Sequence, residues 1–398
     1  MRKFGPGLLV TAAFIGPGSV ATASAAGANF GFVLLWALLF SVIATIVLQE
    51  MASRLGLVSG NGLSQALRTT FNNPLLSRTA VILVVAAIGV GNAAYEVGNI
   101  SGAALGLNSL TALPQGVSAL LIGALSAVLL GSGAFRLLEP ILVALVLIMS
   151  AVFVVTMLGV NIDFGVLLSG LLTPSIPAGS TLTIIALIGT TVVPYNLFLH
   201  ASLVQKKWRG VDTRQAITES RIDTVISIGL GGLITLAVMS TSAVAFFNSG
   251  TAFSAASLAT QLEPLLGASA NILFACGLLA AGLTSAITAP LAAAYAVTGA
   301  LGWSTEFTDR RFRAICMSVL LVGTVFAALG SKPIAAILFA QAANGLLLPV
   351  IAIFLIIIVN RADLLGEYRN KLASNLLGAV VVITVTGLGL FNIARLFF

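Results

Sequence analysis

Two short runs combine helix breakers with neutral polar side chains: Gly16-Pro17-Gly18-Ser19 and Val193-Pro194-Tyr195-Asn196. Each interrupts a stretch otherwise apolar enough to cross a bilayer. Backbone that leaves a helix at membrane depth exposes N–H and C=O groups that lipid cannot satisfy. It must therefore line a cavity or lie inside protein. Paired breaks in corresponding parts of a chain are the best sequence pointer to the substrate site of a secondary transporter. The chemistry these runs offer is hydrogen bonding. Ser19, Tyr195 and Asn196 carry neutral donors. The helices that resume after each break, expected near Ser19 and Asn196, present free N–H groups and partial positive charge.

The elements that position these residues follow from composition. The chain has 398 residues, of which 59% are hydrophobic and 8% charged. A soluble domain carries about 25% charged residues, so this is an integral membrane protein. Hydropathy predicts eleven spans, near 7–28, 31–52, 79–107, 115–133, 137–159, 179–204, 222–248, 266–301, 313–330, 333–359 and 374–396. Each is long enough for a hydrocarbon core about 30 Å thick. The N-terminal Met1-Arg2-Lys3-Phe4 is too short to precede a cleavable signal, so the first apolar stretch is expected to be mature structure.

A cytoplasmic N-terminus would place Arg2, Lys3, Arg54, Arg68, Arg78, Arg136, Lys206, Lys207, Arg209, Arg214, Arg221, Arg310, Arg311, Arg313, Arg361, Arg369 and Lys371 on the inner side. Only Lys332 and Arg395 of the 19 basic residues fall outside. The positive-inside rule selects this orientation, with an extracytoplasmic C-terminus in the cell membrane. It also explains the net charge of +7 without a nucleic-acid partner. The two breaks are five spans apart. That predicts a single all-α transmembrane domain, a 5+5 inverted repeat with repeat one over 1–160, repeat two over 175–360 and an extra span over 374–396.

Two cysteines in apolar stretches, Cys276 and Cys316, argue against a disulfide framework or a cysteine metal site, and the lone His200 against a histidine cluster. No nucleophile–base pair or phosphate loop suggests an enzyme.

At the two breaks the chain resembles the Nramp family of divalent-metal transporters, which share the LeuT fold. Further stretches carry the resemblance: Gly5-Pro6-Gly7-Leu8-Leu9-Val10, Ala26-Gly27-Ala28-Asn29-Phe30-Gly31, Leu48-Gln49-Glu50-Met51-Ala52-Ser53-Arg54-Leu55-Gly56 and Pro194-Tyr195-Asn196-Leu197-Phe198-Leu199-His200. The departures are specific. The family's span 1 reads Asp-Pro-Gly-Asn, whose Asp and Asn bind metal; here those places hold Gly16 and Ser19. Its span 6 reads Met-Pro-His-Asn; here Val193 and Tyr195 replace the Met and His. Its span 3 carries an Asp and, three residues later, a Glu on the proton path; a gapless alignment puts Glu96 and Asn99 there.

A dehydrated transition metal needs several oxygen, nitrogen or sulfur ligands, and soft donors if it is soft. Gly16, Ser19 and Val193 offer one hydroxyl and backbone carbonyls, so transport of manganese or iron by the family's mechanism is not expected. The half-helix N-termini suit a small oxyanion the size of bicarbonate, although polar groups at a helix break also serve simply as caps. The expected substrate set is Gly16, Pro17, Gly18, Ser19, Thr190, Val193, Tyr195, Asn196 and Gln341. By resemblance Gln341 matches a family position that contacts the ion; it also suits inter-helix bonding.

In sodium-coupled LeuT-fold proteins a Thr-Ser pair in span 8 joins span 1 carbonyls around sodium. Thr284 and Ser285 resemble that pair, with Ala13 on the span 1 side. Such hydroxyls equally bond a carbonyl one turn earlier. Glu96 is the one carboxylate deep in a span and is expected to share a proton or pair with His200 or Arg313, or to sit protonated against Asn92 or Asn99. Glu96, Asn99 and His200 form the expected proton-path or gating set. The expected function is cotransport of a small anion with sodium or protons. Alternatives are transport of a hydrated divalent cation such as magnesium, which holds its water tightly, or a non-transporting sensor or scaffold. Apart from a bound sodium ion no cofactor is expected, and no partner beyond the inorganic substrate and the bilayer.

Overall fold

The computed structural model describes residues 15–70, 73–132, 135–330 and 332–397. All regular structure among the described residues is helical. The α-helices are α1 (Pro17–Phe30), α2 (Leu35–Ser59), α3 (Leu63–Thr70), α4 (Pro74–Thr111), α5 (Gln115–Ser132), α6 (Phe135–Gly159), α7 (Phe164–Leu172), α8 (Thr181–Thr191), α9 (Pro194–Lys207), α10 (Thr213–Phe246), α11 (Glu263–Leu266), α12 (Ala270–Leu301), α13 (Arg310–Leu329), α14 (Pro333–Val359), α15 (Ala362–Leu365) and α16 (Leu372–Phe397). Among the described residues there are 10 segments long and apolar enough to cross a membrane, counting α8 with α9 as one. They coincide with the second to eleventh expected spans. The first expected span begins outside the described residues and continues as α1.

Both breaks are present, and both helices resume two residues earlier than expected. Residues 15 and 16 are a bend, and α1 starts at Pro17. Helix α8 stops at Thr191, Val192 and Val193 are non-helical, and α9 starts at Pro194. Proline sets the boundary in each case. Its ring disfavours helical backbone in the preceding residue, and Gly16 (φ −111°, ψ −177°) and Val193 (φ −77°, ψ 118°) are accordingly extended. Proline then fits the first helical position, where its missing N–H would have had no partner.

Helix α4 lies at the centre. It packs against α12, α14, α13 and α1. One of its faces carries Gly91, Tyr95, Gly98, Gly102 and Gly106, spaced as neighbours on a helix surface. These small residues let other helices come close. A Cβ on Gly102 would overlap the Pro17 ring, and one on Gly106 would lie 2.6 Å from the Ala275 carbonyl oxygen. Tyr95 is the large side chain in that row, and it is fully buried.

On the side where the basic residues cluster, buried Arg54 closes the bundle. It bonds Glu50 through two nitrogens at 3.0 Å each and reaches Asn370 Oδ1 at 2.7 Å. Arg221 shares Glu50 at 2.8 Å. Removing one partner of a buried ion pair costs about 3–5 kcal/mol, because the other charge is left without compensation. Arg54→Ala should therefore lower the apparent melting temperature in detergent markedly. Arg221→Ala, on a side chain 56% exposed, should lower it little. Equal shifts would contradict this assignment.

Candidate functional site

The two breaks meet. The Ser19 hydroxyl and the Thr190 hydroxyl share a hydrogen bond of 3.0 Å, joining the first turn of α1 to the last turn of α8. Neither Gly16 nor Val193 supplies a side-chain cap to the helix it precedes. The first-turn N–H groups of α1 and α9 therefore have no cap from the side chain of the residue before the helix, although the Asn196 N–H donates to the Val193 carbonyl at 3.0 Å.

Side chains from three further helices close around this point. From α14, Gln341 is fully buried and its amide lies against Gly18, where any Cβ would overlap its nitrogen. The same amide nitrogen is 3.5 Å from the Cβ position of Gly98 on α4. From α12, the Ser285 hydroxyl is 3.1 Å from the Cβ position of Gly16, and the Tyr95 hydroxyl of α4 is 4.0 Å from it. Tyr95 and Tyr195 pack edge to face with ring centroids 5.5 Å apart. The glycines are therefore spatial requirements. Side chains at 16 and 18 would occupy the space that Ser285, Tyr95 and Gln341 border.

The hydrogen-bond inventory gives the site its chemical character. The hydroxyls of Tyr95 and Tyr195 are buried and interact with each other, and both amide atoms of Gln341 and Oδ1 of Asn196 are buried with no protein partner among the described residues. Each group buried without a partner costs about 1–3 kcal/mol. Nearly all of the cluster is neutral. Among the described residues, no group of three or more His, Cys, Asp or Glu is placed to hold a metal.

Of the residues expected at the site, Gly16, Pro17, Gly18, Ser19, Thr190, Tyr195, Asn196 and Gln341 are buried around the breaks, and Val193 is the buried residue immediately before α9, without a side-chain cap. Sequence reasoning missed Tyr95. The available signal was a tyrosine inside a glycine-rich helical face, one residue before Glu96.

The expected coupling pair divides. Ser285 faces Gly16, whereas the Thr284 hydroxyl donates to the Ala280 carbonyl at 2.6 Å and borders an apolar cavity of about 440 Å³ with Ile15 and Ala281. Ala13 lies outside the described residues.

Of the partners expected for Glu96, Asn99 is the one found, and pairing with His200 or Arg313 is corrected. Glu96 Oε2 accepts from Asn99 Nδ2 at 3.1 Å, and its other oxygen has no partner among the described residues. Its side chain packs on Gly323 of α13, on a different face of α4 from Tyr95. His200 Nδ1 pairs instead with Gln49 of α2 at 2.6 Å. The cause is helical phase: residues 95 and 96 differ by about 100° around α4, so only Tyr95 points to the break. Asn92 donates to its own helix at Ile88.

This geometry, two broken helices crossing a helical bundle, has relatives. A family model described as natural resistance-associated macrophage protein-like matches residues 7–395. The chain belongs to the Nramp family. The divalent metal cation transporter MntH of Acidiphilium cryptum is 30% identical over 99% of this chain and 90% of its own length. MntH of Mesorhizobium japonicum is 32% identical over 91% of this chain and 82% of its own. Among solved structures, the Eremococcus coleocola manganese transporter superposes with a TM-score of 0.77 at 22% identity, over 98% of this chain and 86% of its own. Mhp1, a nucleobase-cation-symport-1 family transporter, superposes with a TM-score of 0.62 at 17% identity, over 98% and 91%. These likenesses establish the LeuT-like fold for this Nramp chain. Within that fold, the places where the resemblance puts the family's Asp, Asn and Met ligands hold Gly16, Ser19 and Val193.

Proposed function

We propose that this Nramp-family protein is a secondary active transporter of a small anion, bicarbonate, moved together with sodium. One observation carries the reading: a buried cluster of hydroxyls and amides, in which the Gln341 amide and Asn196 Oδ1 have no protein partner among the described residues, lies at two helix N-termini without side-chain caps. Hydrogen bonds to a charged group are worth about 1.5–3 kcal/mol each, and helix N-termini add favourable potential for an anion. Bicarbonate has three oxygens and one proton, which suits a site rich in donors with a few acceptors. The Gln341 and Asn196 carbonyl oxygens supply acceptors.

Sodium makes the transport energetically workable. A membrane potential negative inside opposes anion influx by about 2.3 kcal/mol per charge per 100 mV, and one accompanying sodium cancels that term. Ser285 borders the Gly16 break, and the Thr284 oxygen keeps lone pairs after donating its proton to Ala280. Unit charges 4 Å apart attract by about 4 kcal/mol at an effective dielectric of 20, so each ion raises the other's affinity by the same factor. The pattern of basic residues supports a cell-membrane location with a cytoplasmic N-terminus.

Replacing sodium by choline should abolish uptake into proteoliposomes. Thr284→Val with Ser285→Ala should raise the half-saturating sodium concentration at least tenfold with little change in melting temperature. Wild-type uptake that is equal in sodium and choline would remove sodium from the mechanism and make Glu96, with protons, the coupling group to test.

A second reading is transport of a divalent cation, favoured by the names of the relatives. For such an ion the site supplies neutral oxygens alone. It would have to retain most of its water, as magnesium does readily.

A further inference from the structure

On the face that charge asymmetry assigns to the cytoplasm, a cavity of about 680 Å³ opens between α2, the start of α10 and the segment that joins α15 to α16. Arg54, Arg214, Arg221, Arg369 and Lys371 line it, against a single lining carboxylate, Glu367. Glu50, behind them, is already shared by Arg54 and Arg221. Arg214, Arg369 and Lys371 make no ion pair among the described residues, and all three are exposed. The Ser374 side chain, in the first turn of α16, also borders the space.

Topology alone would put cations on this side, but it would scatter them over the surface. Here three sequence-distant stretches (54, 214–221 and 367–374) bring them to one concavity. Arg54 is held by Glu50, Asn370 and the Tyr368 carbonyl and contributes positive potential, while the exposed Arg214, Arg369 and Lys371 supply the donors. A guanidinium group recognises phosphate oxygens with two-pronged hydrogen bonds. The volume far exceeds one phosphate group, and the excess of positive charge calls for more than one negative charge.

We propose that this cavity binds a ligand carrying two phosphate groups. Occupancy ties α10 to the segment before α16 through Arg214 on one side and Arg369 and Lys371 on the other. The source is either a soluble diphosphate or the headgroup of a two-phosphate lipid. The site is separate from the helix breaks, so its test is independent of the transported ion.

Purified full-length protein in detergent at low salt would be titrated with inorganic pyrophosphate while thermal unfolding is followed. Wild type should show a saturable rise in melting temperature. Arg214→Gln/Arg369→Gln/Lys371→Gln, which leaves the Arg54–Glu50–Arg221 network intact, should bind at least tenfold more weakly. A control with equal charge loss elsewhere, Arg310→Gln/Arg311→Gln/Lys332→Gln, should bind as wild type does. A parallel arm would compare nanodiscs of cardiolipin with nanodiscs of phosphatidylcholine. Stabilisation of wild type over the triple variant by cardiolipin alone would identify the lipid as the source. The proposal is overturned if neither probe distinguishes wild type from the triple variant, or if sodium chloride at matched ionic strength reproduces the pyrophosphate effect.

Discussion

Combining Tyr95→Phe, Tyr195→Phe and Gln341→Leu should abolish anion uptake while leaving the protein as stable as wild type, or more so. The two halves of this expectation share one cause. All three side chains are buried; the Gln341 amide has no protein partner among the described residues, and the two tyrosine hydroxyls interact only with each other. Removing all three together leaves no other group without a partner, and it relieves a desolvation penalty of about 1–3 kcal/mol per unpartnered group. An anion in the site loses about 1.5–3 kcal/mol per deleted hydrogen bond, so three losses lower affinity at least several-hundred-fold. Labelled-bicarbonate uptake and melting in detergent are read on the same preparations. A fall in stability that parallels the fall in uptake would mean that these groups are structural.

Gly102→Val should have the largest effect on the fold itself. A Cβ there overlaps the Pro17 ring, and the Pro17 Cα lies 3.5 Å away. A proline ring cannot rotate aside, so α1 must move away from α4 and take Gly18 and Ser19 with it. Overpacking of this kind costs about 3 kcal/mol or more when backbone has to shift. Gly229→Val is the control, because a Cβ at Gly229 on α10 meets nothing within 4 Å. The first variant should melt well below wild type and lose uptake, whereas the second should match wild type in both. A Gly102→Val protein with normal melting and uptake would show that the contact between α4 and the first break is not needed.

Much of this architecture was legible in the sequence, for identifiable reasons. Long apolar runs leave little freedom in a bilayer, so ten spans coincide with helices. Pro17 and Pro194 are local, rigid signals, so both breaks were found, displaced only by the preference of proline for the first helical position. What failed was angular. Sequence shows that residues 95 and 96 are adjacent, but not which of them points toward α1. A carboxylate in a membrane span stands out because it is costly, whereas the helical phase presents Tyr95 to the breaks and turns Glu96 toward Asn99 and Gly323. The partner of His200 is hidden likewise: Gln49 is 151 residues away in the chain, on a helix whose register against α9 no local pattern reveals. Thr284 and Ser285 are neighbours in sequence, and adjacent helical residues do not share a face, so Ser285 lies against Gly16 while Thr284 borders the apolar cavity beside Ile15.

The most direct test of anion transport in place of metal transport uses one preparation of proteoliposomes and two substrates. Labelled bicarbonate is supplied outside at alkaline pH with an inward sodium gradient, and manganese entry is followed in parallel by quenching of an enclosed dye. The predicted result is sodium-dependent, saturable bicarbonate accumulation, with manganese entry no faster than in vesicles lacking protein. Saturable manganese entry without sodium-driven bicarbonate accumulation would contradict it.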